Sequence, residues 1–223
     1  MRSACAAGAG TPTHIGAFSR GGAFDTLGCD MRESQAKSVT IVTGVPRSGT
    51  SLVMQMLAAG GLPVLSDGVR GPDADNPHGY FEFEPAKRLA RDAAWLPLAA
   101  GRAVKLAHTL VASLPPGLPY RVLLVRRRLD EVLASQRVML ARVGAAPDPA
   151  ENARLLPALE AQLARLEREL AARADLSWLG LEHAELVREP VLAAARLNHF
   201  LGGGLDASAM AACVDPALHR QRR

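Results

Sequence analysis

The nine residues from 43 to 51 are of the types that bind phosphate or sulfate. They read Thr-Gly-Val-Pro-Arg-Ser-Gly-Thr-Ser and join an apolar, β-branched run to an apolar helical pattern. A strand that passes through such a loop into a helix aims backbone N–H groups and the positive end of the helix dipole at one point. The spacing of Gly44 and Gly49 fits the phosphate-loop pattern, but Thr50 stands where the Lys of that pattern belongs. The cation lies earlier, at Arg47, unlike in ordinary ATP and GTP hydrolases.

A second basic segment follows another buried-strand pattern. The apolar run at 120–125 leads into Arg126, Arg127 and Arg128, and Ser135 follows at the start of a predicted helix. Arginine offers a planar fork that binds phosphate bidentately, and a hydroxyl on the adjoining helix adds a neutral donor. Three arginines alone would indicate a solvated turn. Their place after the first loop favours a second phosphate contact instead.

Both segments resemble motifs of the sulfotransferases that use 3′-phosphoadenosine 5′-phosphosulfate (PAPS). The stretch Pro-Arg-Ser-Gly-Thr-Ser at 46–51 is similar to that family's 5′-phosphosulfate loop. Arg127 and Ser135 have the eight-residue spacing of its 3′-phosphate motif, although the family's common Arg-Asp-Pro is Arg127-Arg128-Leu129 here. The resemblance covers about residues 38–223 and is loose outside these two motifs.

The resemblance implies a PAPS-dependent sulfotransferase with PAPS as co-substrate and no metal. It would transfer a sulfuryl group to a hydroxyl or amine of a small-molecule or glycan acceptor. The residues expected to bind the nucleotide are Arg47, Ser48, Gly49, Thr50, Ser51, Arg127, Ser135 and, near the C-terminus, Arg220 and Arg222. A solvated basic tail is the alternative interpretation of the last two arginines.

Besides Arg47, three side chains are candidates for the transfer chemistry. Glu82 ends Asn-Pro-His-Gly-Tyr-Phe-Glu at 76–82, which resembles a segment of bacterial sulfotransferases, and it is our first choice as the base. Lys105 matches the sulfuryl-contacting Lys of the family's Lys-x-His, whereas His108 arrives one residue late. One residue turns a side chain to the other face of a strand, unless the strand has already ended. A solvated carboxylate and a structural histidine are the alternatives for Glu82 and His108.

Alternating strand and helix patterns predict an α/β fold, a three-layer α/β/α phosphate-loop domain with a central parallel sheet. The predicted strands are Val39–Val45, Ala103–Ala107, Arg121–Val125 and Leu179–Leu186. The predicted helices are Thr50–Ala59, Pro85–Leu98, Asp130–Val143, a long helix ending near Ala174, and Val191–Leu201. We expect this domain to span residues 38–223. Residues 1–37 are expected to be a disordered extension, with translation starting at Met31.

Composition narrows the function classes. The length of 223 residues and the apolar content of 48% suit one domain. The net charge of +4 suits a polyanionic small ligand. No long Lys/Arg tract indicates nucleic acid, and no apolar run approaches the about 18–20 residues of a membrane span. Three cysteines without metal-ligand spacing favour the reducing cytoplasm.

Two other function classes remain open at this point. A small-molecule or nucleoside kinase could use the same loop, although Thr50 replaces the Lys and no Asp ends the run at 123–125 to hold Mg²⁺. A non-catalytic nucleotide-binding module would keep both phosphate motifs and need no base.

Overall fold

Five strands form one parallel sheet in a computed structural model that describes residues 38–73, 76–142, 144–145, 149–215 and 217. The order across the sheet is β2-β3-β1-β4-β5. The strands are β1 (Val39–Gly44), β2 (Val64–Leu65), β3 (Ala103–Ala107), β4 (Tyr120–Arg126) and β5 (Leu176–Glu182).

Helices cover both faces of this sheet. They are α1 (Thr50–Ala59), α2 (Leu129–Arg142), α3 (Pro149–Ala172), α4 (His183–Arg188), α5 (Pro190–Phe200) and α6 (Ala207–Ala212). Three 3₁₀ turns lie at Glu84–Arg88, Leu96–Ala99 and His108–Ser113. The predicted α/β architecture with a central parallel sheet is confirmed.

Two apolar clusters hold the layers together, one on each face of the sheet. Val42 and Leu123 point to the face covered by α1, α5 and α6. Their chain neighbours Ile41 and Val122 point to the opposite face, where α3 packs through Leu166 and Leu170. Successive strand side chains alternate between faces, so strands buried on both sides read as continuous apolar runs.

One predicted element is wrong, and the bounds of one predicted strand differ. The helix expected over Pro85–Leu98 is replaced by the two 3₁₀ turns, and the Asp92 carboxylate accepts a hydrogen bond from the Ala94 N–H (2.9 Å). Such local side-chain bonds compete with helix formation. The last strand ends at Glu182 rather than at residue 186, because α4 begins at His183.

The sheet order places a crevice at the carboxyl end of β1. From β1 the chain builds β2 and β3 on one side, and then crosses to build β4 and β5 on the other. In open parallel sheets, ligands bind outside the carboxyl ends of the strands where the strand order reverses in this way. The loop at 45–49 leaves β1 at this point.

Candidate functional site

The loop between β1 and α1 has the backbone geometry of an anion site. Gly49 precedes α1 in the left-handed region (φ 105°), and no side chain caps the helix there. The first N–H groups of a helix have no intrahelical acceptors, so an uncapped start presents several donors together with the dipole. Arg47 also has a positive φ (71°), which is strained for a residue with a side chain. Strain of this kind is common at ligand sites.

Gly49 is required for a second reason, which involves His183. A Cβ built on Gly49 would lie 2.5 Å from His183 Cδ2, so the ring packs directly against the loop. His183 is the first residue of α4, and only 7% of it is exposed. His183 was not among the residues predicted for the site, because the last strand was predicted to run through it to Leu186 and no local pattern marks it.

Arg47, Arg127 and Ser135 come together, as expected if both motifs bind one nucleotide. Arg47 Nε donates to Ser135 Oγ at 3.0 Å, and Arg127 Nη1 donates to the Arg47 carbonyl at 3.3 Å. Ser135 lies in α2 and is buried (7% exposed). Loop, strand end and helix are therefore joined by hydrogen bonds.

Glu131 is a member of this cluster that the sequence analysis missed. Its carboxylate accepts from Arg127 Nε at 2.9 Å, and the two side chains are 9% and 10% exposed. Arg127 lies just before α2, and Glu131 lies in the first turn of that helix. The pair fixes the orientation of the guanidinium, and removal of Arg127 would leave a buried carboxylate without this counter-ion.

Lys105 approaches the loop from β3. Its ammonium donates to the Tyr80 carbonyl and lies 3.4 Å from Ser51 Oγ. Burial lowers the pKa of Lys105 to about 8. The positive charges of Arg70 and Lys87 also lower this pKa, whereas the negative charge of Glu82 raises it. Lys105 is thus a partly buried cation beside the start of α1.

Glu82 lies at the centre of three cations. Its carboxylate is 2.8 Å from Lys87 Nζ, 3.2 Å from Arg70 Nη1 and 3.9 Å from Lys105 Nζ. Burial alone would raise the pKa of Glu82, but the hydrogen bond from Lys87 and the charges of Lys105 and Arg70 hold it below its usual value. A lowered pKa makes the carboxylate a weaker proton acceptor.

His108 lies on the same side of the loop as Lys105. β3 ends at Ala107, and His108 begins the 3₁₀ turn, so the alternation that would have separated the two side chains no longer applies. His108 Nε2 is 2.8 Å from Gln162 Oε1 of α3. Lys105 and His108 line one cavity, as does Glu82.

That cavity has a volume of about 580 Å³ and extends to both sides of the loop. Arg127, Ser135, Val138 and His183 line what we call the β4 side. The β3 side is lined by Arg70, Tyr80, Glu82, Lys87, Lys105 and His108. Because β3 and β4 flank β1 on opposite sides, the loop stands between the two groups. One cavity therefore reaches side chains on both sides of the loop.

Some expectations fall on residues outside the described part of the chain. These are Arg220, Arg222 and residues 1–37, so their predicted roles stay predictions. Among the helices of the described residues, none is long and apolar enough to cross a membrane. No protein-family model matches this chain, and a search of curated proteins found no match either.

Proposed function

We propose that the protein is a PAPS-dependent sulfotransferase, acting in the cytoplasm on a hydroxyl or amine of a small-molecule or glycan acceptor. The observation that carries the proposal is the convergence of Arg47, Arg127 and Ser135 at an uncapped helix N-terminus. A donor with a phosphosulfate and a separate 3′-phosphate needs two anion sites joined in this way. An ordinary nucleoside triphosphate presents a single chain of phosphates.

The residues of the β4 side fit the nucleotide. The amides at the start of α1 would hold the 5′-phosphosulfate, in the manner of helix N-termini that bind phosphate. Arg127 and Ser135 would bind the 3′-phosphate, with Glu131 fixing the guanidinium. PAPS supplies an activated sulfuryl group: the acceptor's new O–S or N–S bond forms as the bond from sulfur to the phosphate oxygen breaks, and 3′,5′-ADP leaves.

Two cations would stabilise charge on the sulfuryl oxygens. Arg47 belongs to the loop itself, and Lys105 reaches it from β3, where its ammonium lies 3.4 Å from Ser51 Oγ. Donors fixed in advance in a partly buried site stabilise a transition state without reorganising. Burial that lowers the pKa of Lys105 to about 8 leaves it mostly charged at neutral pH.

The contacts favour His108 over Glu82 as the group that takes the acceptor's proton. Three cations surround Glu82 and lower its pKa, so its carboxylate serves better as their counter-ion. His108 lies three residues beyond Lys105 on the same wall of the cavity, beyond the end of β3. An imidazole there is suited to general-base catalysis near neutral pH.

Calorimetry with 3′,5′-ADP, 5′-AMP and ATP tests the nucleotide assignment. We expect 3′,5′-ADP to bind at least about tenfold more tightly than 5′-AMP, since hydrogen bonds to a charged group contribute about 1.5–3 kcal/mol. Arg127→Ala should remove that preference. Arg128→Ala is the matched control, because Arg128 belongs to the same triplet but is exposed and pairs with Asp130. Equal affinity for 3′,5′-ADP and 5′-AMP, or tighter binding of ATP, would contradict the assignment.

Transfer of labelled sulfate from PAPS to a panel of alcohols, phenols, amines and sugars tests the activity itself. A protein that binds 3′,5′-ADP selectively but transfers sulfate to no acceptor would be a binding module rather than an enzyme.

A further inference from the structure

The β3 side of the cavity carries more positive than negative charge. Of the described side chains that line it, three are cations and Glu82 is the single carboxylate. Lys87 has a second partner in Glu84 (2.5 Å), a residue that does not line the cavity. Even with Lys87 assigned to Glu84, Arg70 and Lys105 share Glu82. Among the side chains that line this wall, positive charge therefore exceeds negative charge.

Arg70 is built to bind an anion there. Its guanidinium lies 3.4 Å from the centroid of the Tyr80 ring, which fixes the plane of the fork. Tyr80 is itself held, because its hydroxyl donates to both oxygens of Asp73 at 2.8 and 2.9 Å. Within the described chain, Arg70 donates one side-chain hydrogen bond, from Nη1 to Glu82. A guanidinium has five N–H donors, so most of this fork is available to a ligand in the cavity it lines.

The next inference rests on the sulfotransferase proposal. We propose that the acceptor carries an oxyanion group and that Arg70 binds it. This group would be a carboxylate, a sulfate ester or a phosphate ester. Arg70 lies on the β3 side, across the loop from the 3′-phosphate contacts Arg127 and Ser135, so it would meet the acceptor rather than the nucleotide. Lys105 remains at the sulfuryl group. Arg70 is then a residue that determines acceptor specificity.

The electrostatic interactions among Arg70, Lys87, Lys105 and Glu82 agree with this assignment. Burial and the charges of Arg70 and Lys87 all lower the pKa of Lys105. The opposite effect of Glu82 is smaller than these three together. An oxyanion bound by Arg70 would offset the repulsion among these cations. Binding should therefore weaken as salt is added, because ions screen partly exposed charges.

The test uses pairs of compounds that share a hydroxyl and differ in one anionic group. Suitable pairs are 4-hydroxybenzoate with 4-hydroxybenzyl alcohol, and 4-nitrophenyl glucuronide or glucoside 6-phosphate with 4-nitrophenyl glucoside. Calorimetry is run on the full chain with and without saturating 3′,5′-ADP. We expect the anionic member of at least one pair to bind about tenfold or more tightly than its neutral partner. Comparison of the carboxylate pairs with the phosphate pair shows which kind of anionic group the protein binds.

Arg70→Ala should abolish the preference while leaving 3′,5′-ADP affinity unchanged, and Arg70→Lys should retain part of it. Arg91→Ala, which removes an exposed arginine outside the cavity, should have no effect. Unchanged 3′,5′-ADP binding shows that the variants fold. If no anionic member binds more tightly than its partner, or the preference survives Arg70→Ala, the inference is wrong. Failure to bind 3′,5′-ADP would refute the sulfotransferase proposal separately, because the anion preference is also measured without nucleotide.

Discussion

Replacing Lys105 by Met tests whether a buried ammonium lies beside the loop. Burial lowers the pKa of Lys105 from 10.5 to about 8 in the folded protein, whereas the unfolded chain keeps the ordinary value. Between these two pH values the unfolded state binds a proton that the folded state has released, so the free energy of unfolding rises with pH. Below pH 8 both states are protonated, and the cost of burying the charge is present in full.

The size of this effect follows from the two pKa values. Linkage between pH 7 and pH 9.5 gives a gain for the wild type of about 2 kcal/mol, at 1.36 kcal/mol for each unit of pKa shift. Lys105→Met lacks the titrating group and keeps an unbranched chain of similar length. The free energy of unfolding of this variant should therefore not show that increase between pH 7 and pH 9.5. Because tyrosine and cysteine titrations affect both proteins, they cancel in the difference.

Urea unfolding of both proteins at pH 7 and pH 9.5 measures the difference. Lys87→Met is the control. In the wild type, the hydrogen bonds from Lys87 to Glu82 and Glu84 raise the pKa of Lys87. A raised pKa contributes stability that is lost only above the ordinary value of 10.5, outside this window. Lys87→Met should thus keep most of the rise. Identical pH dependence in the wild type and Lys105→Met would show that the ammonium stays charged and solvated, and would refute the reasoning.

Four further variants test the roles assigned to the site. Arg127→Ala combined with Glu131→Gln should weaken 3′,5′-ADP binding by about 1.5–3 kcal/mol by calorimetry, and the double change also removes the charge that Arg127 balances. Undiminished binding would contradict the 3′-phosphate contact. Arg47→Ala should lower turnover by roughly a hundred- to a thousandfold with a smaller effect on 3′,5′-ADP affinity, and a variant with normal turnover would show that Arg47 only binds. His108→Asn should lower turnover by about a hundredfold or more, and Glu82→Gln should lower it by less. A larger loss in Glu82→Gln than in His108→Asn would return the base assignment to Glu82.

The sequence predicted the parts of the fold that depend on local patterns. The bounds of α1 and β3 are as predicted, and β1 is one residue shorter than expected, because their apolar runs and flanking loop residues are local signals. The meeting of Arg127 with Arg47 was also predictable, since the carboxyl ends of parallel strands share one sheet edge.

The remaining features depend on contacts between distant segments. The packing of His183 on Gly49 joins residues far apart in the chain, and no local pattern indicates it. Glu82 was identified by the segment around it, but its contacts with Arg70 and Lys105 join residues that are 12 and 23 positions away in the chain. The base assignment changed for this reason: the sequence identified two acceptors of protons, and only their surroundings distinguish them.

The contacts of Arg47 join the loop to the β4 side of the cavity. Its left-handed backbone costs on the order of 1–3 kcal/mol, which the surrounding structure must offset. Ser135 holds its side chain, and Arg127 donates to its carbonyl, so the residues proposed to bind the 3′-phosphate also hold the loop. Ordering the loop in advance reduces the entropy lost when a ligand binds. Loss of either contact should therefore weaken the 5′-phosphosulfate site as well as the 3′-phosphate site, because Arg47 is shared between them.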